Sequence, residues 1–266
     1  MPQSLKKLLA LEIAHRIDAM RTCRKRALRG EDAESLHNLR VALRRLRSLT
    51  RPLQPLLTPR IRRIERRLKR LVQDTNALRD AEVHQQWLSR LAPDLPPPSP
   101  RRKDAARLRR ALKSGRLKRD LNLLRERLPR QLAKTPKFAL TRLLAGGCDA
   151  AQIELAHALS RSGFDDAVPQ DLHNSRLLTK RVRYQAESYA VLLGDSRLAL
   201  LATPCRELQD ALGDLRDLEA CAASLPQAEQ KRAAARIRQA RAECRERARL
   251  AWQDMHDRLA PTPLED

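Results

Sequence analysis

One pattern is written twice in this chain, in matching phase. His37-Asn38-Leu39-Arg40 runs into Arg44-Arg45-Leu46-Arg47, and His173-Asn174-Ser175-Arg176 runs into Lys180-Arg181-Val182-Arg183. Each copy places an Arg three residues after its His, then a basic pair, then a further Arg. From His37 to His173 the shift is 136 residues. A second echo keeps that spacing to within one residue: Leu78-Arg79-Asp80-Ala81-Glu82 and Leu215-Arg216-Asp217-Leu218-Glu219. Two motifs repeating in the same order imply a duplicated unit, and therefore a fold with two like halves and two matching basic surfaces.

Apolar residues recur at helical spacing nearly everywhere, and no alternating segment reads as a strand. Leu, Ala, Arg and Glu dominate, all good helix formers. With only seven glycines the breaks are easy to place. Helices are expected at about 4–29, 33–50, 60–91 and 101–128. Gly30 with Glu31-Asp32, the prolines at 52, 55 and 59, and the Pro-rich stretch 93–100 separate them. Ser114-Gly115 is a candidate break within the fourth. The third carries Ile61, Ile64, Leu68, Leu71 and Leu78 on one face. A second set is expected at about 138–162, 170–193, 197–223 and 227–259, separated by Gly163, Gly194-Asp195 and Pro226. The duplication shift carries the first four helices onto the second four. An all-α fold of two pseudo-symmetric antiparallel four-helix bundles, 1–135 and 136–266, is the economical architecture. One long irregular helical array is the alternative.

Lys and Arg total 55 against 32 Asp and Glu, a formal charge of +23. That excess predicts salt-sensitive attraction to polyanions: nucleic acid, an anionic membrane or a phosphate polymer. Trp, Tyr and Phe number two each, too few for the base-stacking platforms of single-strand binders. The five cysteines are scattered and form no CxxC pair, so neither a disulfide framework nor a zinc site is suggested. No membrane-length apolar run or apolar signal core is present. Residues 1–29 read as an integral amphipathic helix rather than a transit peptide. A soluble cytoplasmic protein with no membrane partner is expected.

On a helix, His37, Arg40, Arg44, Arg47 and Arg51 fall within an arc of roughly 80°. Leu36, Leu39, Leu43, Leu46 and Leu53 occupy the neighbouring arc, with Arg45 on the far flank. In the second copy His173, Arg176, Lys180 and Arg183 make the same stripe, Glu187 ends it where Arg51 ends the first, and Tyr184 sits at its edge. Arg presents a planar fork of donors that matches phosphate oxygens. A neutral His donates one hydrogen bond and becomes cationic if phosphates raise its pKa. Such a ladder suits a repeating polyanion with no bases to read. Asp80 and Asp217 are expected to hold basic side chains by ion pairing rather than to bind metal. A dense field of Arg also disfavours a metal at His37 and His173. No GxSxG, Walker loop, GxGxxG or HExxH occurs, so no catalytic residue, cofactor or metal is assigned.

The stretch Leu36 to Ser48 resembles the first motif of the CHAD (conserved-histidine α-helical) domain, and Leu172 to Glu187 resembles its second. Leu208-Gln209-Asp210-Ala211-Leu212-Gly213-Asp214-Leu215-Arg216-Asp217-Leu218 is similar to the signature that follows the second motif. The likeness spans nearly the whole chain. It implies two four-helix bundles facing each other across a basic central groove, binding of inorganic polyphosphate, and association with polyphosphate granules. Many relatives carry a fused triphosphate-tunnel domain; no acidic, strand-forming segment of that kind is present, so its chemistry is not transferred. By position the resemblance assigns binding to His37, Arg40, Arg44, Arg45, Arg47, His173, Arg176, Lys180, Arg181 and Arg183. Arg51 and Tyr184 join them at the stripe ends. Lys69, Arg70 and Arg206 are expected on the groove wall, and Arg79 and Arg216 match the Arg-Asp element. Two departures stand out: Ser175 takes the place of a usual apolar residue, and Asn76-Ala77 stands where the second half has Gly213-Asp214.

The leading expectation is a non-enzymatic polyphosphate-binding module. The alternative is a nucleic-acid binder using sequence-independent phosphate contacts, and a third class is a metal-dependent phosphohydrolase acting on polyphosphate.

Overall fold

Ser4 opens the first helix and Gly30 closes it. The Ser4 hydroxyl accepts from the Lys7 amide at 3.4 Å, occupying one of the donors a helix start leaves unpaired. Gly30 adopts φ 68° and sends its N–H back to the Arg26 carbonyl, a left-handed cap open to glycine without a Cβ penalty. In the computed structural model, which describes residues 4–30, 34–96 and 101–260, regular structure is helical throughout. The order is α1 (Leu5–Arg29), α2 (Ser35–Thr50), a 3₁₀ turn (Gln54–Leu56), α3 (Pro59–Leu91), α4 (Arg102–Lys113), α5 (Gly115–Ala133) and α6 (Lys137–Ser160). Then come α7 (Pro169–Leu193), α8 (Ser196–Leu200), α9 (Ala202–Ser224), α10 (Gln227–Arg232) and α11 (Ala234–Leu259). None of these helices is long and apolar enough to cross a membrane.

Every expected helix is present, with instructive differences. Pro59 begins α3 instead of separating it from α2; a first-turn position has no N–H bond to lose. The fourth helix does break at Ser114, whose side chain caps α5 by accepting from the Arg116 amide at 3.1 Å. Beyond it α5 runs through Pro129 to Ala133. The extra turn buries Leu132 and ties Gln131 to the 3₁₀ turn, donating to the Leu56 carbonyl and accepting from the Thr58 amide. The expected helices 197–223 and 227–259 are each interrupted once, at Leu201 and Ala233. Both interrupting residues are buried. The Glu31-Asp32 separator lies outside the described residues, as does 97–100 of the Pro-rich stretch.

The compact units interleave along the chain. One comprises Met1–Ala81, Pro100–Gly147 and Ser188–Asp195, the other Glu82–Ser99, Cys148–Glu187 and Ser196–Asp266. The division at 135/136 is thus a division of the sequence repeat, whereas α3, α6 and α7 each pass from one unit into the other. In the first unit α1 packs on α2, α4 and α5. Its inward stripe is Leu5, Leu9, Ile13, Ile17 and Met20, and α2 contributes Leu39, Leu43, Leu46 and Leu49. Each such side chain contributes about 1.5–3 kcal/mol on burial. In the second unit α9 packs on α11, around a core that includes Leu208, Leu212, Leu218, Ala248 and Met255. Phe164 meets Trp252 edge-on at 5.9 Å.

Tyr189, near the end of α7, is fully buried in the first unit. Its hydroxyl lies 2.8 Å from the Leu49 carbonyl and 3.3 Å from that of Ser48, serving acceptors in the last turn of α2. Tyr189→Phe should therefore lower stability by about 1–2 kcal/mol, read as a shift of the urea midpoint at unchanged slope.

Candidate functional site: two basic helix faces

The apolar stripe of α2 fixes what the next stripe can do. With Leu39, Leu43 and Leu46 wholly buried, the arc beside them lies at the edge of the core. There His37 and Arg51 are exposed, while Arg40, Arg44 and Arg47 are half-buried. Half-burial keeps the aliphatic stems on apolar surface and the guanidinium heads at its margin.

Arg47 is anchored most firmly. Its Nε and one terminal nitrogen donate to Glu65 Oε1 at 3.0 and 2.9 Å, and Gln54 donates to Oε2 at 3.1 Å. Glu65 is only 3% exposed, so both carboxylate oxygens are occupied inside the protein. Its face of α3 continues with exposed Lys69, then Asn76, whose buried Oδ1 has no hydrogen-bond partner among the described residues. Arg70 is exposed on α3, Arg79 half-buried and Asp80 exposed.

The second unit builds a related face from α7 and α9. His173 is exposed, and Arg176, Lys180 and Arg183 are half-buried. The Arg176 guanidinium lies over Gly213, where an added Cβ would come within 3.4 Å of two of its nitrogens. Arg183 donates to Glu187 at 2.9 Å, and Arg206 on α9 approaches the same carboxylate at 3.7 Å. The Arg176–Gly213 and Glu187–Arg206 contacts run in opposite order along the two helices, so α7 and α9 are antiparallel. Gln209 is 8% exposed, with a buried Oε1 that has no partner among the described residues. Tyr184 receives the Arg183 guanidinium over its ring at 5.5 Å. Beneath this face, burial pushes the Cys205 thiol up to about 12; Arg183 pulls the other way and Glu187 adds to the rise.

Other candidates are placed differently. Arg181 donates to Glu154 on α6 at 2.7 Å, on a flank away from the stripe. Arg45, its counterpart, is half-buried on the corresponding flank of α2. Arg216 binds its own neighbour Asp217 at 3.0 and 2.7 Å; that aspartate pairs as expected, with the adjacent residue instead of the ladder.

Three residues escaped the sequence reading. Glu65 had a signal: it is an acid on the Ile61–Ile64–Leu68 stripe of α3, where an apolar residue belongs. Gln54 had none, since its role depends on a 3₁₀ turn. Gln209 stands between apolar neighbours at 208 and 212 and could have been marked as a buried polar side chain. Among the described residues no group of three His, Cys, Asp or Glu side chains is placed to hold a metal ion. Chemically, both faces offer cationic N–H donors at a core margin, suited to anionic oxygens.

The family model of the CHAD domain matches residues 12–226, which takes in both copies of the motif, and the chain belongs to this family. In fold it is similar to the crystal structure of the CHAD domain from the plant Ricinus communis, with a TM-score of 0.63 and 20% identity over 97% of this chain and 92% of that one. No curated protein sequence matches the chain significantly.

Removing one member of a buried ion pair strands the other. Glu65→Ala should cost about 3–5 kcal/mol, and replacing Arg47 and Glu65 together by Leu should restore most of that loss. Urea unfolding of the single and double variants checks the pair.

Proposed function

We propose that this protein binds inorganic polyphosphate without turning it over, through the α2 face of one unit and the α7–α9 face of the other. One observation carries the reading. Two cation rows in matching phase each sit at a core margin, where Glu65 accepts from Arg47 and Glu187 from Arg183. Guanidinium and ammonium donors spaced along a helix suit a ligand that repeats phosphate oxygens and carries nothing else to recognise. A polymer that engages both rows gains from effective concentration as well as contacts. Membership of the CHAD family points the same way, and with it goes the proposal of a cytoplasmic protein gathered at polyphosphate granules.

Competition between long polyphosphate, duplex DNA and heparin, at equal anionic charge and physiological salt, tests ligand class. A clear preference for polyphosphate is expected, with affinity falling steeply as salt rises. Equal competition by all three would replace this reading with a generic polyanion surface, and preference for DNA would favour phosphate-backbone binding of nucleic acid. Arg44→Glu with Lys180→Glu should abolish polyphosphate binding while leaving the far-ultraviolet circular dichroism unchanged. Glu187→Gln should have the opposite effect, tightening binding several-fold by releasing Arg183 and Arg206 toward the ligand.

A further inference from the structure

The apolar stripe of α1 ends on a cation. Leu5, Leu9, Ile13, Ile17 and Met20 are buried along one face, and the next position on that stripe is Arg24. Its side chain is half-buried and its Nε donates to the Leu112 carbonyl at 2.6 Å, in the last turn of α4. That bond fixes the guanidinium and leaves its terminal nitrogens to donate elsewhere. Around it lies a cleft of about 460 Å³ lined by Arg21, Arg24, Lys25, Lys118 and Asn122. No carboxylate is among these residues.

The packing of α1 against α5 explains the cleft. Arg125 on α5 pairs with Asp18 on α1. One turn along, Arg21 donates to Asn122 Oδ1 at 2.6 Å and to Asp18 at 2.9 Å. The helices are antiparallel and their rungs advance in constant register. The next rung sets Lys25 opposite Lys118. An acid–base rung is thus followed by a base–amide rung and then by a base–base rung. Both lysines are exposed, and neither has a hydrogen bond or ion pair among the described residues. Because Asn122 Oδ1 is engaged as an acceptor, its amide nitrogen remains a donor.

We infer that this cleft is a second anion site, separate from the motif helices, in which a phosphate group or short oligophosphate completes the Lys25–Lys118 rung. Two ammonium groups, the anchored Arg24 guanidinium and the Asn122 amide supply donors of one sign around one concavity. The anchoring of Arg24 and Arg21 by protein acceptors holds two of the cations in place before any ligand arrives. Its size falls within the roughly 300–1,000 Å³ of small-molecule sites. The inference does not depend on the motif helices binding polyphosphate.

Tripolyphosphate titrated calorimetrically into the Arg44→Glu/Lys180→Glu protein isolates the cleft from the motif faces. One saturable equivalent is expected. Adding Lys118→Glu should weaken it at least about tenfold and, by supplying Lys25 with a partner, raise Tm by about 1–3 °C. Lys231→Glu, an exposed change of equal charge on α10, should do neither. The inference is overturned if the motif variant shows no saturable binding, if Lys118→Glu leaves the isotherm unchanged, or if Lys231→Glu weakens it equally. Failure of the motif-face reading would show differently, as unchanged long-chain binding in the Arg44→Glu/Lys180→Glu protein.

Discussion

Setting a row of cations at the edge of a packed core is the constraint on which both basic faces depend. The cations repel one another, and the half-buried position that orders them also weakens solvent screening. Each row meets this with a carboxylate at one end. Glu65 takes Arg47, and Glu187 takes Arg183. Neutralising one cation lowers the self-repulsion of its row.

The two copies reach this balance by different routes. In the first, the acid comes from α3 and the pair joins two helices. In the second, it comes from α7 itself, one turn after its Arg, so the position that carries Arg51 in the first copy carries the acid here. The cores beneath also differ. Leu39 and Leu43 of α2 correspond to Ser175 and Thr179 of α7, all four buried. Thr179 returns its hydroxyl to the Ser175 carbonyl at 2.7 Å, whereas the Ser175 hydroxyl has no partner among the described residues. The second copy has exchanged apolar burial for buried polarity just below its cation row. Gly213 completes the difference: its missing side chain lets Arg176 lie directly on α9, where the first copy has Asn76.

Helix existence was legible because period and punctuation agree over long stretches. Ile61 to Leu71 on α3 were legible as a core stripe, whereas Leu78 is only half-buried, and Gly30 and Gly194 were legible as helix ends, both at φ 68°. The break at Leu201 lies just before Pro204, which takes a first-turn position of α9 and has no N–H to bond the Leu200 carbonyl; the break at Ala233 carries no such signal. The cation rows were legible as rows, since phase alone defines them. Which cation is engaged internally was not. Arg47 and Arg44 look alike in sequence, and what separates them is a glutamate on another helix and a glutamine in a 3₁₀ turn. Arg181 is a similar case: adjacency to Lys180 in the motif says nothing about its ion pair with Glu154 on α6.

The same reasoning gives weight to the α1–α5 ladder. A run of exposed bases usually signifies a solvated face, and +23 of net charge supplies many such runs. Register discriminates among them. Where successive rungs between two packed helices are acid–base and then base–amide, complementarity has been achieved at each level that the protein itself can satisfy. A like-charge rung immediately beyond, next to an arginine on a core stripe, interrupts that complementarity at one defined level. Solvent would dilute the repulsion between two isolated lysines at little cost. It gives no reason for Arg24 to occupy the stripe position in place of an apolar residue, with its Nε tethered to Leu112 and its side chain lining the same cleft. An anion accounts for all three features together, because it completes the rung, receives the free donors and makes a half-buried guanidinium at the end of the stripe favourable.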